Sequence, residues 1–247
     1  MKSKQNSHPM IKMDKVSFFY DAGHLILKDI SISVKQGESV GVIGANGKGK
    51  STLLRLLTGI HMAASGSIYI DGIRVEKSSL KQIRRRTGYM FQDSENQLFM
   101  SRVEEDVAFG PKNQGMTGIQ LQNRIDMALD TVGASYLYGK QIYKLSGGEK
   151  KMIAIASILS MEPSILLLDE PTIALDPRNR KNLIAVLNAM PRLKVIASHD
   201  LDMILDTCER CIVLDDGRVA YDGSTQAIMR NEEFLQEHGL ELPLKYS

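Results

Sequence analysis

The chain has 247 residues, of which 31 are basic and 29 acidic, for a net charge of +2, with 43% hydrophobic and 24% charged residues. That profile fits a globular protein large enough for one sizeable core, and the charge balance argues against nucleic acid as its main partner. The longest apolar runs, such as Ile165-Leu166-Leu167-Leu168, fall far short of the ~20 residues that span a bilayer.

The start, Met1 to Pro9, is polar and lacks the apolar core of a secretory signal, so the expectation is a cytoplasmic protein with a polar tail over 1–10. Any association with a membrane would then come through a partner. From residue 11 the pattern alternates: Ile11 and Met13 share one face, then Val16, Phe18 and Tyr20 share one. Ile30, Ile32 and Val34 alternate with Ser31, Ser33 and Lys35, and Ile68 and Ile70 repeat the pattern. These read as antiparallel strands with one wet face. The runs 39–43, 165–168 and 194–198 are apolar throughout and read as strands of a parallel sheet buried on both faces. A β-rich edge lobe packed on a parallel-sheet core is therefore expected.

Between the strand 39–43 and a helix opening at Ser51 lies Gly44-Ala45-Asn46-Gly47-Lys48-Gly49-Lys50-Ser51-Thr52. This is the G-x-x-x-x-G-K-[ST] phosphate loop in the context its mechanism requires. Glycines let the backbone curl so that successive N–H groups face phosphate oxygens, and the helix N-terminus adds partial positive charge. Lys50 is placed to reach the β- and γ-phosphates, and the Ser51 hydroxyl to bind Mg²⁺.

Further along, Lys81, Arg84, Arg85 and Arg86 form a basic helix face, read as solvated. Residues 87–92 form another core strand ending at Gln92, after which helical patterns run over 103–109, 119–132 and onward from Ser146. Ser146-Gly147-Gly148-Glu149 is a capping box. Two glycines in a first turn weaken a helix, however, and make sense where backbone must approach an anion closely. Ile165 to Leu168 ends in Asp169 and Glu170. At the carboxyl end of a parallel strand, Asp169 can hold Mg²⁺ and Glu170 can accept a proton from an attacking water. Asp176-Pro177 opens a helix that Pro191 closes, and Asp216-Gly217 marks a hairpin. Cys208 and Cys211 have C-x-x-C spacing: a redox pair or half a zinc site on one reading, a coincidence at a helix-to-strand junction on the other.

Taken together, these motifs resemble the ATP-binding cassette ATPases of transporters, over about residues 11–235. The resemblance implies a P-loop NTPase (RecA-like) α/β fold: a parallel-sheet core, an antiparallel β lobe and a helical subdomain inserted at about 93–160, followed by a short tail over 236–247. Leu145 to Glu149 is similar to the family's signature sequence, with Glu149 where Gln is usual. By the same resemblance Tyr20 stacks on adenine, Gln92 touches Mg²⁺ or water and senses the membrane partner, Asp176 communicates across a cassette dimer, and His199 contacts the γ-phosphate. Lys48 and Ile173 stand where the family more often has small residues, and Lys48 is expected to point to solvent. ATP and Mg²⁺ are the implied ligands, with hydrolysis by a head-to-tail pair in which Ser146, Gly147 and Gly148 of one chain complete the site of the other.

A narrower resemblance, over Phe91 to Phe99 and Val103 to Pro111, is to the energy-coupling-factor ATPases that power uptake of cobalt, nickel and vitamins. It implies a short helix after Gln92 in the groove that receives a transmembrane coupling subunit, alongside a substrate-binding membrane subunit. Glu95, Glu104, Glu105 and Asp106 are candidate acidic contacts for the coupling subunit. The ending around Phe234 to Pro243 resembles the cobalt and nickel type. The expected place is the cytoplasmic face of the cell membrane, paired with an identical or sister cassette.

Overall fold

A computed structural model describes residues 9–21 and 23–246; most of the expected N-terminal tail, residues 1–8, lies outside the described residues. The chain opens with β1 (Ile11–Phe19) and β2 (Leu25–Val34), then β3 (Ser39–Ile43), the phosphate loop and α1 (Lys50–Leu57). Next come β4 (Ser65–Ile70), β5 (Ile73–Arg74), α2 (Leu80–Arg86) and β6 (Thr87–Met90). A 3₁₀ turn at Ser94–Asn96 leads into three helices, α3 (Val103–Asn113), α4 (Gly118–Thr131) and α5 (Gly147–Leu159). The chain then returns to the core with β7 (Ile165–Asp169), α6 (Pro177–Ala189), β8 (Leu193–Ala197) and α7 (Leu201–Thr207). It closes with β9 (Arg210–Asp215), β10 (Arg218–Ser224), α8 (Thr225–Ile228) and α9 (Glu232–Glu237).

There are two sheets. The first, in order β2-β1-β4-β5, is antiparallel. The second runs β10-β9-β3-β8-β7-β6 and is parallel except for the hairpin strand β10 at its edge. This is the architecture that the resemblance implies: a parallel-sheet core carrying an antiparallel lobe and a helical insertion. The switch of alternation within β1, from odd to even positions, has a local cause. The pairing register of β1 with β2 shifts between Met13 and Val16, and Lys15 adopts φ 49°. One extra residue flips every later side chain to the other parity, so Met13 and Val16 can both point inward.

The apolar strands of the second sheet are buried on both faces, as their unbroken hydrophobic runs require. Ile165 and Leu167 of β7 pack with Val40, Val42, Leu53 and the antiparallel lobe. Leu166 and Leu168 of the same strand pack with Ile153, Val107 and the helical insertion. Period-2 alternation thus divides one strand between two cores. It also fixes the site, because the loops at the carboxyl ends of β3, β6, β7 and β8 all emerge on one edge.

Several expectations about side chains need correction. Asp106 is buried, with 3% of its surface exposed, and does not face a groove. Its carboxylate accepts the N–H groups of Phe99 and Met100 at 3.0 and 3.1 Å and the Ser157 hydroxyl at 3.0 Å. Glu104 accepts the Gly139 N–H at 2.9 Å, Glu105 accepts the Arg102 N–H at 3.3 Å at the start of α3, and Glu95 pairs with Lys150. Asp106 therefore fastens the insertion to itself, its carboxylate drawn to unpaired N–H donors ahead of the helix, whereas Glu95 and Glu105 stay exposed. Cys208 and Cys211 are free thiols buried in the core, and burial pushes the Cys208 thiol up to about 12. Such thiols pack as small apolar groups and are not poised for redox chemistry.

Candidate functional site

β3 ends at Ile43 and the chain turns through Gly44, Gly47 and Gly49, with φ 152°, 79° and 96°, before α1 begins at Lys50. Two of these glycines are required by close approach as well as by φ. A Cβ on Gly44 would lie 2.3 Å from the Leu214 carbonyl oxygen, and one on Gly49 would lie 2.8 Å from Leu27 Cδ2. The loop is thus wedged between β9 and β2. Lys50 is buried, and its ammonium donates to the carbonyls of Gly44 at 2.6 Å and Ala45 at 3.2 Å. Burial holds its pKa below the usual lysine range, opposed by the nearby charges of Glu170 and Asp169.

Ser51, the next residue, donates its hydroxyl to Asp169 Oδ1 at 2.9 Å, and Tyr89 donates to Oδ2 at 3.1 Å. Asp169 is fully buried, and burial raises its carboxyl above the ordinary range despite those two hydrogen bonds. A hydroxyl and a buried, under-compensated carboxylate side by side, both hard oxygen donors, form a donor set that fits Mg²⁺. Glu170 follows in a left-handed backbone conformation (φ 48°), which turns its side chain away from that of Asp169. Its carboxylate accepts the Ser198 hydroxyl at 3.0 Å and the His199 N–H at 3.1 and 3.2 Å, and its Oε2 lies 2.8 Å from His199 Nδ1.

Asn46 to Thr52, Glu170, His199, Gln92, Ile173 and Tyr20 line one cleft of roughly 470 Å³. Tyr20 stands at its rim, half exposed, with its hydroxyl 2.9 Å from Thr52 Oγ1 and its ring edge-on to Phe18. Gly44 and Ala45 contribute carbonyls to Lys50 and line a separate cavity beside His199 and the C-terminal segment 239–244. Gln92 lines both this cleft and a second one bounded by Arg55, Lys150 and Lys151.

Ser146, Gly147 and Gly148 are not brought to this cleft. The capping box forms as its sequence predicts: the Ser146 N–H donates to Glu149 at 2.9 Å and the Glu149 N–H to Ser146 at 3.3 Å. Gly147 and Gly148 have no positive φ, and a Cβ on either would meet nothing nearer than 3.5 Å. Neither backbone conformation nor packing within the chain asks for glycine at these positions. Asp176 caps α6 by accepting the N–H groups of Arg178 and Asn179, both at 2.9 Å.

Lys48 lies at the surface but does not extend freely into solvent. Its ammonium lies 2.6 Å from Asp215 and 2.7 Å from Asp216, in the β9–β10 hairpin. Two further residues were not picked out from sequence. Lys151 is 2% exposed and donates to the Gln92 carbonyl at 2.6 Å, so α5 holds the loop that carries Gln92. Its signal was a lysine on the apolar stripe of α5. Tyr89, the phenol that braces Asp169, gave no signal beyond an aromatic residue in a core strand.

The sequence matches known proteins over nearly its full length. The ABC transporter family profile matches residues 27–173. A putative ABC transporter ATP-binding protein of Geobacter sulfurreducens is 45% identical, covering 96% of both chains. The energy-coupling factor transporter ATP-binding protein EcfA of Methanothermobacter thermautotrophicus is 41% identical over 95% of this chain and 77% of its own length. Among solved structures, cbiO1 of Clostridium perfringens, part of the ABC transporter complex cbiONQ, superposes with a TM-score of 0.83 at 34% identity, covering 93% of this chain and 94% of its own.

Proposed function

The chain belongs to the ABC transporter family of ATP-binding cassettes and stands with its energy-coupling-factor ATPases, and on that premise we propose that it works in a head-to-tail cassette pair whose ATP hydrolysis drives uptake of a transition-metal ion, cobalt or nickel. The observation that carries the pairing is the split of the site. Lys50, Ser51, Asp169, Glu170, Gln92 and His199 converge, whereas Ser146 and Gly147 stand exposed with no internal reason for the glycines. A closed pair related by two-fold symmetry brings each chain's Ser146, Gly147 and Gly148 to its partner's cleft.

Within that pair each residue has a task. Lys50 would exchange its two loop carbonyls for the β- and γ-phosphates, and Ser51 and Asp169 would hold Mg²⁺, which would supply charge neutralisation. Glu170, fixed by Ser198 and the His199 N–H, orients the attacking water and takes its proton. His199 reaches the γ-phosphate from the same carboxylate, Tyr20 offers its ring to adenine, and Gln92 reports the phosphate end to the loop that Lys151 holds. On this reading residues 11–235 form the cassette and 93–160 its helical subdomain.

Among the described residues no helix is long and apolar enough to cross a membrane. We read it as a peripheral subunit at the cytoplasmic face, held by a transmembrane coupling subunit beside a substrate-binding membrane subunit; its similarity to EcfA and to cbiO1 supports that reading. Phe99 and Phe109, both exposed and edge to face at 4.7 Å, offer an apolar contact for the coupling subunit. The resemblance of Phe234 to Pro243 to the cobalt and nickel type supports a metal cargo. The alternative is a vitamin-type energy-coupling-factor importer or another ABC transporter; a soluble cassette acting on nucleic acid is disfavoured by the charge balance. Purification of the intact complex from membranes, with identification of its subunits and cargo, tests this. A bound vitamin would remove the metal assignment, and the absence of any membrane subunit would remove transport.

A further inference from the structure

The phosphate loop is wedged by backbone at its two ends, Gly44 against the Leu214 carbonyl and Gly49 against Leu27. Between these points its fastening is the Lys48 side chain, which crosses to the β9–β10 hairpin and sits between Asp215 and Asp216. The hairpin is itself docked. The Lys28 N–H of β2 donates to the Gly217 carbonyl at 2.7 Å, and a Cβ on Gly217 would lie 2.6 Å from the Ile26 carbonyl oxygen. Ile26 and Lys48 both line the cleft that receives the phosphates. Lys48 is the ammonium that contacts both carboxylates, with Lys28 acting on Asp216 from further off, beside a site that would take a polyanion. The two aspartates raise the Lys48 pKa to about 12, and Lys48 in turn lowers that of Asp216.

We propose that Lys48, Asp215 and Asp216 form a charge latch, which ties the middle of the phosphate loop to the hairpin and withholds the lysine's charge from the nucleotide, so that the hairpin sets the affinity for ATP. The inference rests on the nucleotide-binding reading of the cleft. ATP competes with the aspartates for the ammonium. When the latch opens, a unit positive charge becomes available to the phosphates, and the loop is released from the hairpin. The bound state then differs from the free state at a point some 168 positions away in sequence. Asp215 and Asp216 act through Lys48 and are positioning residues.

The electrostatic account makes the two sides of the latch behave oppositely. Asp215→Asn/Asp216→Asn frees the ammonium and tightens binding of a non-hydrolysable ATP analogue, on the order of tenfold at low salt and less as salt screens it. Lys48→Ser leaves the two carboxylates without the ammonium they contact, beside the phosphates, and weakens binding by a similar factor. The triple variant falls between the two. Asp216→Asn alone, at the most exposed side chain of the three, moves in the tightening direction by a smaller factor and serves should the double variant fold poorly. Titration calorimetry at two ionic strengths reads all of this. If the aspartate variants bind no better than the wild type, or weaken binding as Lys48→Ser does, the contact is only a brace and the latch is refuted. If all variants bind equally, it is likewise refuted. A wild-type chain that does not bind the analogue at all would overturn the nucleotide reading itself, and the latch with it.

Discussion

Replacing Asp106 by alanine separates the two roles the acidic stretch could play. Truncation removes a buried carboxylate that accepts the N–H groups of Phe99 and Met100 and the Ser157 hydroxyl. Ser157 keeps its second acceptor, the Ile153 carbonyl at 3.0 Å, so its hydroxyl stays satisfied. Two backbone donors lose their partner, at about 1–3 kcal/mol each, partly offset because a desolvated charge also disappears. The net loss is then about 2–4 kcal/mol, or roughly 4–16 °C in melting temperature for a chain of this size. Glu105→Ala, at an exposed helix start, should lower stability by no more than about 1 kcal/mol. Thermal melting of the two variants gives the totals, and hydrogen exchange at the Phe99 and Met100 amides localises them. A D106A protein that melts with the wild type and keeps those amides protected would refute the anchoring role.

Glu170→Gln keeps the shape of the carboxylate and its contacts with Ser198 and His199, so ATP should still bind and pair the cassettes, while steady-state turnover falls by about 10²–10⁴; a wild-type hydrolysis rate would remove Glu170 as the base. Asp169 gives a pH signature. Burial raises its folded pKa, so the folded state holds that proton more tightly than the unfolded chain. The resulting instability is absent below the unfolded pKa and grows as pH rises through the folded one. Asp169→Asn should therefore stabilise the free protein near neutral pH by about 1 kcal/mol, lose that advantage in acid, and abolish the Mg²⁺ dependence of nucleotide binding. A less stable variant at neutral pH would contradict this. Phe99→Ser with Phe109→Ser should prevent co-purification with the membrane subunits while leaving nucleotide affinity unchanged; intact assembly would exclude the aromatic pair as the docking surface.

Much of the site was legible because its parts are local. The phosphate loop, the Ser146–Glu149 capping box, the Asp176 cap and the Asp216-Gly217 turn each depend on φ values and hydrogen bonds among residues a few positions apart. A short pattern is enough to specify such features. The division into a wet antiparallel lobe and a doubly buried parallel sheet was equally readable, since hydrophobic period reports how many faces a strand buries. The sequence alone thus determined the fold class and picked out residues that the structure brings together in one cleft.

What it could not determine is which distant partner each charged side chain takes. Lys48 was expected in solvent and meets Asp215 and Asp216; Asp106 was expected at a surface and is sealed beneath Phe99 and Met100; Lys151 carried no motif and grips Gln92. Strand order brings Ser51 to Asp169 across 118 positions and Lys48 to Asp216 across 168. A long charged side chain settles on whichever opposite charge or unpaired backbone group the packed elements place within its reach. Only the tertiary structure sets that reach, because the elements are held together by non-directional burial of their apolar faces.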